Sequence, residues 1–427
     1  MLSAFRNAFK VRDLRGKILF TLGIIAVYRL GSHLPVPGVD YKSVQNYLRT
    51  ASDPNNGAFN LINLFSGGAL TQFAIFALGI MPYITSSIIM QLLGVVIPRL
   101  EQLQKEGENG RKKIQQYTRY VTVALALLQS AGIVTLAHRQ GLLPIDIFPG
   151  LTPPRFALAV LTLTAGTALI MWLGELITQR GIGNGMSIMI FAAIVARLPT
   201  EGANILRSRG GFVFGIVCVL GLLVVVAVIF VEQAQRRIPV QYAKRQVGRR
   251  MYGGSSTYIP LKVNQAGVIP IIFASSLLYL PTLLTSIVNR PWLTDLNQRF
   301  FRSETHPVYM IGYFLMIIAF AYFYNSIAFN PVDTADNMKK YGGFIPGIRP
   351  GRPTAEYLNY ILTRITLPGS LFLAAIALLP IIALAAGQVQ QFPFGGTAVL
   401  ITVGVGLETM KQIESQLLMR NYEGFLR

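Results

Sequence analysis

Long apolar runs divide this chain into segments that are separated by polar or basic stretches. A helix needs about 20 apolar residues to cross the hydrocarbon core of a bilayer, with a normal range of about 17–25. The pattern therefore predicts ten membrane-spanning helices, numbered here as spans 1 to 10 in chain order: about 18–34, 73–97, 120–137, 156–176, 186–198, 212–231, 266–288, 308–329, 365–386 and 394–413.

Two apolar stretches fit this scheme poorly. Span 5, at 186–198, is short, and we expect it to begin within GIGNG and to run toward Ile205. Residues 57–72, GAFNLINLFSGGALTQ, are far too short to cross. They could form a helix on the outer surface or a half-buried segment folded back into the bundle, where irregular backbone must be covered by protein or line a cavity. The pattern favours neither alternative.

The charged residues indicate the setting and the orientation of the spans. Only 13% of the residues are charged, against about 25% in soluble domains, so the chain belongs with membrane proteins. Most of the 38 Lys and Arg residues lie on the side that holds both termini, which predicts cytoplasmic termini. The two longest cytoplasmic loops are then 232–265 and 330–364. The formal charge of +20 predicts that these loops face anionic lipid or an anionic partner.

Catalytic and metal-binding chemistry has little support. His33, His138 and His306 lie in three different outer loops without a carboxylate or cysteine cluster beside them, and Cys218 is the single cysteine. No protease, hydrolase or nucleotide-binding motif is present. We therefore expect a protein that is not an enzyme and that carries no metal and no cofactor.

The position of the acidic residues bears on transport. A proton- or sodium-coupled transporter normally keeps ionisable residues inside its spans. Here Glu175, Glu232 and Glu408 are expected near cytoplasmic span ends, within reach of water. This placement weakens the hypothesis of an ion-coupled transporter, while a small-solute secondary transporter for neutral substrates stays open as an alternative.

Both long cytoplasmic loops have the character of docking arms. Loop 232–265 is basic and partly β-like, with the pairs Arg236-Arg237, Lys244-Arg245 and Arg249-Arg250. Lipid headgroups could bind such pairs, and RNA phosphates also suit arginine forks. The second loop contains YGGFIPGIRPGRP, residues 341–353, whose glycines and prolines cannot continue a helix and hold Arg349 and Arg352 on a stiff tip.

Seven stretches, taken together and in order, resemble the bacterial SecY family, the channel subunit of the Sec protein translocon. They cover nearly the whole chain: FNLINLFSGGAL (59–70), IFALGIMPYITSSIIMQLL (75–93), KEGENGRKKIQQYTRY (105–120), MWLGELITQRGIGNGMSIMIF (171–191), QRRIPVQYAKRQVGRRMYGGSSTYIPLKVNQAGVIPIIFASS (235–276), FNPVDTADNMKKYGGFIPGIRPG (329–351) and FGGTAVLITVGV (394–405).

The resemblance implies the fold. It is an all-α polytopic membrane protein with ten transmembrane helices in two pseudo-symmetric five-helix halves around a central pore. A cytoplasmic segment, 1–17, would precede the N-terminal half, 18–210. The C-terminal half, 211–427, would carry both docking loops and a cytoplasmic tail.

The resemblance also implies a function and its site. The chain would be a protein-conducting channel that translocates unfolded secretory polypeptides across the cytoplasmic (inner) membrane and releases transmembrane helices laterally into lipid. Five apolar residues would form the pore constriction: Ile80, Ile84, Ile190, Ile272 and Ile401. A plug at about 57–70 would close the outer funnel, with Asn60, Leu61, Ile62, Asn63, Leu64, Phe65, Ser66, Gly67 and Gly68.

A lateral gate is implied between spans 2–3 and spans 7–8. Thr85, Ser86, Gln129 and Asn264 match polar positions near this seam, and weak interhelical hydrogen bonds between such residues could hold it closed. Prolines at 82 and 270 are expected to loosen spans 2 and 7, which suits helices that must move.

The partners follow from the same resemblance. The loops after spans 6 and 8 would dock the SecA motor ATPase or the ribosome, through its RNA and proteins. Arg349 matches the critical arginine of the second tip, and Arg249 and Arg250 match the first tip, whereas Arg352 matches no family role. The partner subunits would be SecE and SecG, and the channel would also meet signal sequences, nascent polypeptides and membrane lipid. No ATP site is expected here, so a partner must supply the driving force.

Overall fold

The fold is described from a computed structural model of the chain. It describes residues 11–37, 66–70, 72–139, 153–242, 245–247, 250–252, 256–287, 306–387 and 396–425, with the single residues 9, 292 and 295. Within these ranges the elements are α1 Arg12–Gly31, α2 Met81–Val96, α3 Pro98–Lys105, α4 Glu108–Arg139, α5 Pro153–Arg180, α6 Gly185–Val195, α7 Leu198–Gln233, β1 Gln235–Tyr242, β2 Arg245–Val247, β3 Arg250–Tyr252, β4 Ser256–Lys262, α8 Ile269–Ile287, α9 Pro307–Ala328, α10 Pro331–Lys340, β5 Gly343–Phe344, α11 Arg352–Gly387 and α12 Gly396–Phe425.

Several helices are long and apolar enough to cross a membrane. In the described part of the chain there are five: Arg155–Arg180, Gly185–Arg207, Gly210–Gln233, Pro307–Lys340 and Arg352–Leu379. A sixth is added if α2 and α3, which are bent by 105° at a short break, count as one span. The chain is therefore a polytopic helical membrane protein, as predicted, and the count of ten spans stays a prediction.

A break in α7 separates span 5 from span 6. Gly210 has a φ of 83°, a left-handed conformation that glycine adopts without strain, and the helix is interrupted there. Span 5 therefore comprises α6 and the beginning of α7, from Gly185 to Arg207. It begins within GIGNG and extends past Ile205, as predicted. The break falls at the boundary predicted between segments 18–210 and 211–427.

The prediction of a helix over 73–97 is wrong at its start. Helix α2 begins only at Met81, and residues 72–80 form largely buried turns, with an isolated β-bridge between Pro35 and Ala74. Gly79 has a φ of 57°, which interrupts any right-handed helix. Because a buried turn needs apolar side chains as much as a buried helix does, hydrophobicity alone could not separate the two.

Pro82 and Pro270 also act differently from the prediction. Each lies at the second residue of its helix, α2 or α8. A proline in the first turn interrupts no intrahelical hydrogen bond, and its fixed φ suits the start of a helix. These prolines therefore begin their helices and do not loosen them.

The two long loops, 232–265 and 330–364, form one folded unit, which we call the loop unit. Strands β1 and β4 pair antiparallel along the first loop, and β5 from the second loop pairs with β1 through Gln241 and Phe344. Ile238 and Val240 are buried on β1 and pack in one cluster with Leu358 of α11. The two loops therefore share a small core with the first turns of span 9.

Arg119 and Glu175 join span 3 to span 4. Arg119 Nε donates to Glu175 Oε1 at 2.7 Å and Nη2 donates to Oε2 at 2.6 Å, while Gln115 also donates to Oε1 at 3.3 Å. The side chain of Glu175 is only 9% exposed. The expectation that Glu175 reaches water is therefore wrong, because a guanidinium takes the place of water. Glu408, by contrast, is exposed.

We expect Arg119→Met to lower the unfolding midpoint of the detergent-solubilised protein by several degrees. The variant leaves a buried carboxylate without its counter-ion, which costs about 2–3 kcal/mol, below the usual range for a fully buried pair because the Arg119 side chain is 41% exposed. The double variant Arg119→Met/Glu175→Leu should recover most of the loss, since it removes both charges. A double variant as unstable as the single one would contradict this account of the pair.

Candidate functional site

Five isoleucines from distant parts of the chain meet in one apolar cluster. Ile80 directly precedes α2 and Ile84 lies in its first turn, while Ile190, Ile272 and Ile401 come from α6, α8 and α12. Ile80, Ile190 and Ile401 are 3%, 5% and 1% exposed, and Ile84 and Ile272 pack partly buried against the same cluster. The structure thus brings together all five residues that the resemblance assigned to the pore constriction.

Local geometry explains how each isoleucine reaches this place. The Ile84 amide donates to the Ile80 carbonyl at 3.1 Å, so the two side chains lie one turn apart on the same helix face. At the start of α6, Asn184 Oδ1 accepts from the Met186 amide at 3.1 Å and caps the helix. Gly185 carries no side chain and packs directly on the Gly174 carbonyl, which brings α6 against α5 and aims Ile190 inward.

Two further residues extend the cluster that the resemblance did not name. Val268 lies four residues before Ile272, and Val405 lies four residues after Ile401, and both pack against the same buried residues. A spacing of four places side chains on one helix face. This periodicity is the signal in the sequence from which the wider apolar lining could have been predicted.

The cluster has a simple chemistry. Its members are aliphatic side chains, methionines and aromatic residues, and the two tyrosines among them, Tyr28 and Tyr83, carry hydroxyls. A narrow neck of branched alkyl groups excludes water, so hydrated ions meet a dewetting barrier. The same groups make no directional bond, so they do not select for one polypeptide sequence.

The end of the predicted plug lies against this cluster. We call residues Ser66–Leu70 the plug hinge. Ser66 and Gly67 are buried, and Ala69 belongs to the same cluster as the isoleucines. Gly67 has a φ of 66°, and a Cβ placed on it would lie 3.1 Å from Ala193 Cα of α6. The hinge is therefore seated directly on span 5. The remaining predicted plug residues, Asn60, Leu61, Ile62, Asn63, Leu64 and Phe65, lie outside the described residues.

The predicted gate residues do not bond to one another across the seam. Ser86 Oγ donates to the Thr118 carbonyl at 2.7 Å, joining α2 to α4, and Thr85 Oγ1 donates to its own helix at Met81. On the other side, Asn264 Nδ2 donates to Glu232 Oε1 at 2.6 Å and to the Gly267 carbonyl at 3.1 Å. Gln129 is buried on α4.

Apolar packing closes the seam instead. Helix α8 contacts both α2 and α4, and Ile84 and Ile272 lie in the same cluster from its two sides. The expectation that hydrogen bonds between the named residues hold the gate is therefore wrong for Thr85, Ser86 and Asn264, whose bonds stay within each side. An apolar seam can open to admit an apolar helix without losing those bonds.

The predicted docking residues that the structure describes lie on the loop unit. Arg236 and Arg237 are exposed on β1, and the Arg237 guanidinium lies 4.9 Å from the centre of the Tyr258 ring. Arg349 is exposed at the second tip. Arg245 and Arg250 are described only by their backbone, as residues of the hairpin β2–β3, and Lys244 and Arg249 lie outside the described residues.

The fold and the site define a class of protein: a polytopic helical membrane protein with an uncharged apolar centre and exposed basic loops at one end. The family model described as SecY matches residues 74–410. Curated relatives named protein translocase subunit SecY are 61% identical in Streptomyces galbus and 58% identical in Mycobacterium bovis, and each alignment covers 100% of both chains. The chain belongs to the SecY family.

Solved structures support the fold independently of sequence. One described as a protein-conducting channel has a TM-score of 0.63 at 18% identity and covers 93% of this chain and 91% of its own. Sec61 in the canine ribosome-channel complex has a TM-score of 0.60 at 18% identity and covers 93% and 91%. At this identity, the likeness shows that the overall architecture is shared.

Proposed function

We propose that this chain forms the channel of a protein translocase, and that Ile80, Ile84, Ile190, Ile272 and Ile401 form its constriction. It would translocate unfolded secretory polypeptides across the cytoplasmic membrane and would not act as an enzyme. One observation carries the proposal. Five isoleucines from four separate segments meet in a single apolar cluster, and the plug hinge is seated beside them. Membership of a family whose relatives are named as translocase subunits supports it.

The constriction would work as a yielding seal. Branched alkyl side chains change rotamer around a passing polypeptide and close again behind it, while an empty neck stays dry. Because the five isoleucine side chains offer no hydrogen-bonding partner, the passing chain can have almost any sequence. Ion exclusion and sequence tolerance would therefore come from the same side chains.

Lateral release would use the seam between α2/α4 and α8. A signal helix that enters the seam gains about 0.8 kcal/mol per CH₂ group transferred out of water. Since the named polar residues bond within their own sides, the entering helix has to displace apolar contacts only. Several leucines would then suffice to open the gate, and hydrophobicity itself would be the signal that is recognised.

The loop unit would lie in the cytoplasm and dock the partners that drive transport. Exposed Arg349, Arg236 and Arg237 offer forked donors to carboxylates of the SecA motor ATPase or to phosphates of ribosomal RNA. Lys244, Arg245, Arg249 and Arg250 would extend this surface at the first tip. SecE and SecG would complete the channel as partner subunits.

The orientation follows from the loops. Both termini and the segment 1–17 would lie in the cytoplasm with the loop unit, in agreement with the excess of Lys and Arg on that side. The segments 18–210 and 211–427 would be the two halves that enclose the pore, and membrane lipid would surround them in the cytoplasmic membrane.

A transport assay tests the proposed function. The chain is co-purified with SecE, reconstituted into lipid vesicles, and supplied with SecA, ATP and a secretory precursor. We expect the precursor to become protected from added protease only when SecA and ATP are both present. Uptake of a neutral small solute without any protection of the precursor would overturn the proposal in favour of a secondary transporter.

A further inference from the structure

Arg29 is a charged residue within span 1 that belongs neither to the constriction nor to the docking surface. It lies in the last turn of α1, where a cation also suits the partial negative charge of a helix C-terminus. With cytoplasmic termini, this end of α1 would lie at the outer side, opposite to the usual distribution of basic residues. An ionisable residue in a span calls for a partner at membrane depth.

That partner is the plug hinge. Arg29 Nη1 donates to the Gly67 carbonyl at 3.3 Å, and the neighbouring Tyr28 Oη donates to the Ser66 carbonyl at 3.2 Å. Two consecutive residues of α1 thus bond two consecutive carbonyls of the hinge. The Tyr28 ring is 2% exposed and stacks on Phe76, with ring centroids 5.8 Å apart and planes inclined by 10°.

These bonds matter because the hinge backbone has an irregular conformation. Gly67 and Gly68 have φ values of 66° and 90°, so the carbonyls here are not part of a helix or a sheet. Ser66 is completely buried, and its carbonyl also accepts from the Ala69 amide at 3.3 Å. A buried carbonyl oxygen has two lone pairs, and each one left without a donor costs free energy, more so at membrane depth where no water can substitute. Side-chain donors from α1 therefore add to the stability of the seated position.

Backbone hydrogen bonds hold the segment that follows the hinge. The Val36 amide donates to the Phe73 carbonyl at 2.9 Å, and the Ile75 amide donates to the Leu34 carbonyl at 2.9 Å. These backbone bonds tie the segment after α1 to residues 73–75. The hinge is thus followed by a segment with paired backbone, and the side chains of Tyr28 and Arg29 join its first two residues to α1.

We propose that Tyr28 and Arg29 are positioning residues for the closed channel, which hold the plug hinge, residues 66–70, in its seated position beside the constriction. The proposal rests on the proposed function, because it takes the apolar cluster beside the hinge to be the constriction. Unseating the hinge breaks both bonds, so weakening either of them raises the population of the unseated state. The two residues thereby contribute to the threshold that a signal sequence must overcome.

The variants separate the bonds from the packing. Tyr28→Phe removes the hydroxyl and keeps the ring that stacks on Phe76. We expect Tyr28→Phe to raise the unseated population about threefold, which corresponds to the loss of one hydrogen bond of ordinary strength between membrane helices. We expect Arg29→Ala to raise the unseated population about threefold to tenfold, because the donor that it removes is charged. Arg29→Lys keeps the charge and one donor, so it should recover part of this effect.

A control variant addresses the loss of any buried hydroxyl. Tyr313→Phe changes a tyrosine that is 3% exposed and packs in the cluster between α8, α9 and α11, away from the hinge. It should alter neither the hinge nor the resting conductance.

Hydrogen exchange and conductance are measured on the complete complex without a translocating polypeptide. We expect Tyr28→Phe and Arg29→Ala to speed amide exchange in a peptide that covers residues 66–80, to raise the resting ion conductance in planar bilayers by the same factors, and to allow transport of precursors with shortened apolar signals. Unchanged exchange at 66–80 overturns the proposal, whatever the conductance. Faster exchange that is equal over the whole chain also overturns it, because the two residues would then be merely structural.

A different set of results would contradict the proposed function. If Ile84→Ser with Ile272→Ser does not leak, the assignment of the constriction is wrong, and exchange at 66–80 still shows whether α1 holds the hinge. If the isoleucine variant leaks while the Tyr28 and Arg29 variants leave exchange and conductance unchanged, the constriction stands and the positioning role is rejected.

Discussion

Reversing the charge at Arg349 is expected to abolish motor-driven translocation while the folded protein stays in the membrane. The side chain is exposed at the tip of the second loop. The tip is shaped by its backbone: Gly347 and Gly351 have φ values of 83° and 104°, and the Arg349 carbonyl accepts from Thr354 Oγ1 at 2.8 Å. The arginine is therefore presented by a preformed loop, and little conformational entropy is lost when a partner binds.

The expected loss of transport reflects weaker binding of the partner and not a change in the stability of the chain. Arg349→Glu replaces a forked donor by a like charge against an anionic partner, which costs about 3 kcal/mol or more, and this corresponds to at least about a hundredfold in affinity. The measurement is SecA-dependent protection of a precursor in reconstituted vesicles, together with the amount of folded protein in the membrane. Normal transport by this variant would contradict the docking role of Arg349.

Arg352 provides a matched control on the same tip. It is exposed and pairs with Glu356 within one helix turn at 3.1 Å, a surface ion pair of small energetic value. Arg352→Glu makes the same change of charge three residues away. We expect transport within about threefold of the unchanged protein, because no contact in the described residues gives Arg352 a role beyond the start of α11. A loss equal to that of Arg349→Glu would mean that the general charge of the tip, and not Arg349, is recognised.

Periodicity and charge predicted the class of fold but not its irregular parts. Runs of about 20 apolar residues are sufficient evidence for membrane helices, and spans 4, 6, 8 and 9 are long apolar helices in the structure. The prediction of one helix over 73–97 is wrong at its start, because the turns at 72–80 are as apolar as the helix that follows. Gly79 and Pro82 marked the change in conformation, since a glycine with positive φ interrupts a right-handed helix and a proline in the first turn suits a helix start.

Pairwise contacts could not be predicted from residue type. Glu175 was expected to reach water because a carboxylate near a span end usually does, but its partner Arg119 lies 56 residues away and becomes its neighbour only when α4 packs on α5. The bonds of Tyr28 and Arg29 to the plug hinge likewise join residues 38 apart in sequence. The five isoleucines were assigned by the family resemblance, since an isoleucine in an apolar span is ordinarily core or lipid-facing.

Replacing Ile84 and Ile272 by serine is expected to raise the resting ion conductance by at least about tenfold. These two side chains are the partly buried members of the five and come from the two sides of the seam. Serine is shorter and carries a hydroxyl, so the neck becomes wider and holds water. A tenfold rise needs the barrier for an ion to fall by only about 1.4 kcal/mol. The conductance is recorded in planar bilayers with the complete complex and no translocating polypeptide.

Two controls separate loss of the seal from loss of stability. Ile84→Val with Ile272→Val removes one methylene at each position and keeps the surface branched and dry, so we expect almost no leak. Ile311→Ser with Ile382→Ser makes the same chemical change at positions that are 60% and 52% exposed, where the side chains would face lipid. A leak from this exterior pair would mean that conductance reports a loosened bundle. If neither serine pair leaks, the dewetting seal must lie elsewhere in the pore, because two hydroxyls in an apolar neck cannot leave its wetting unchanged.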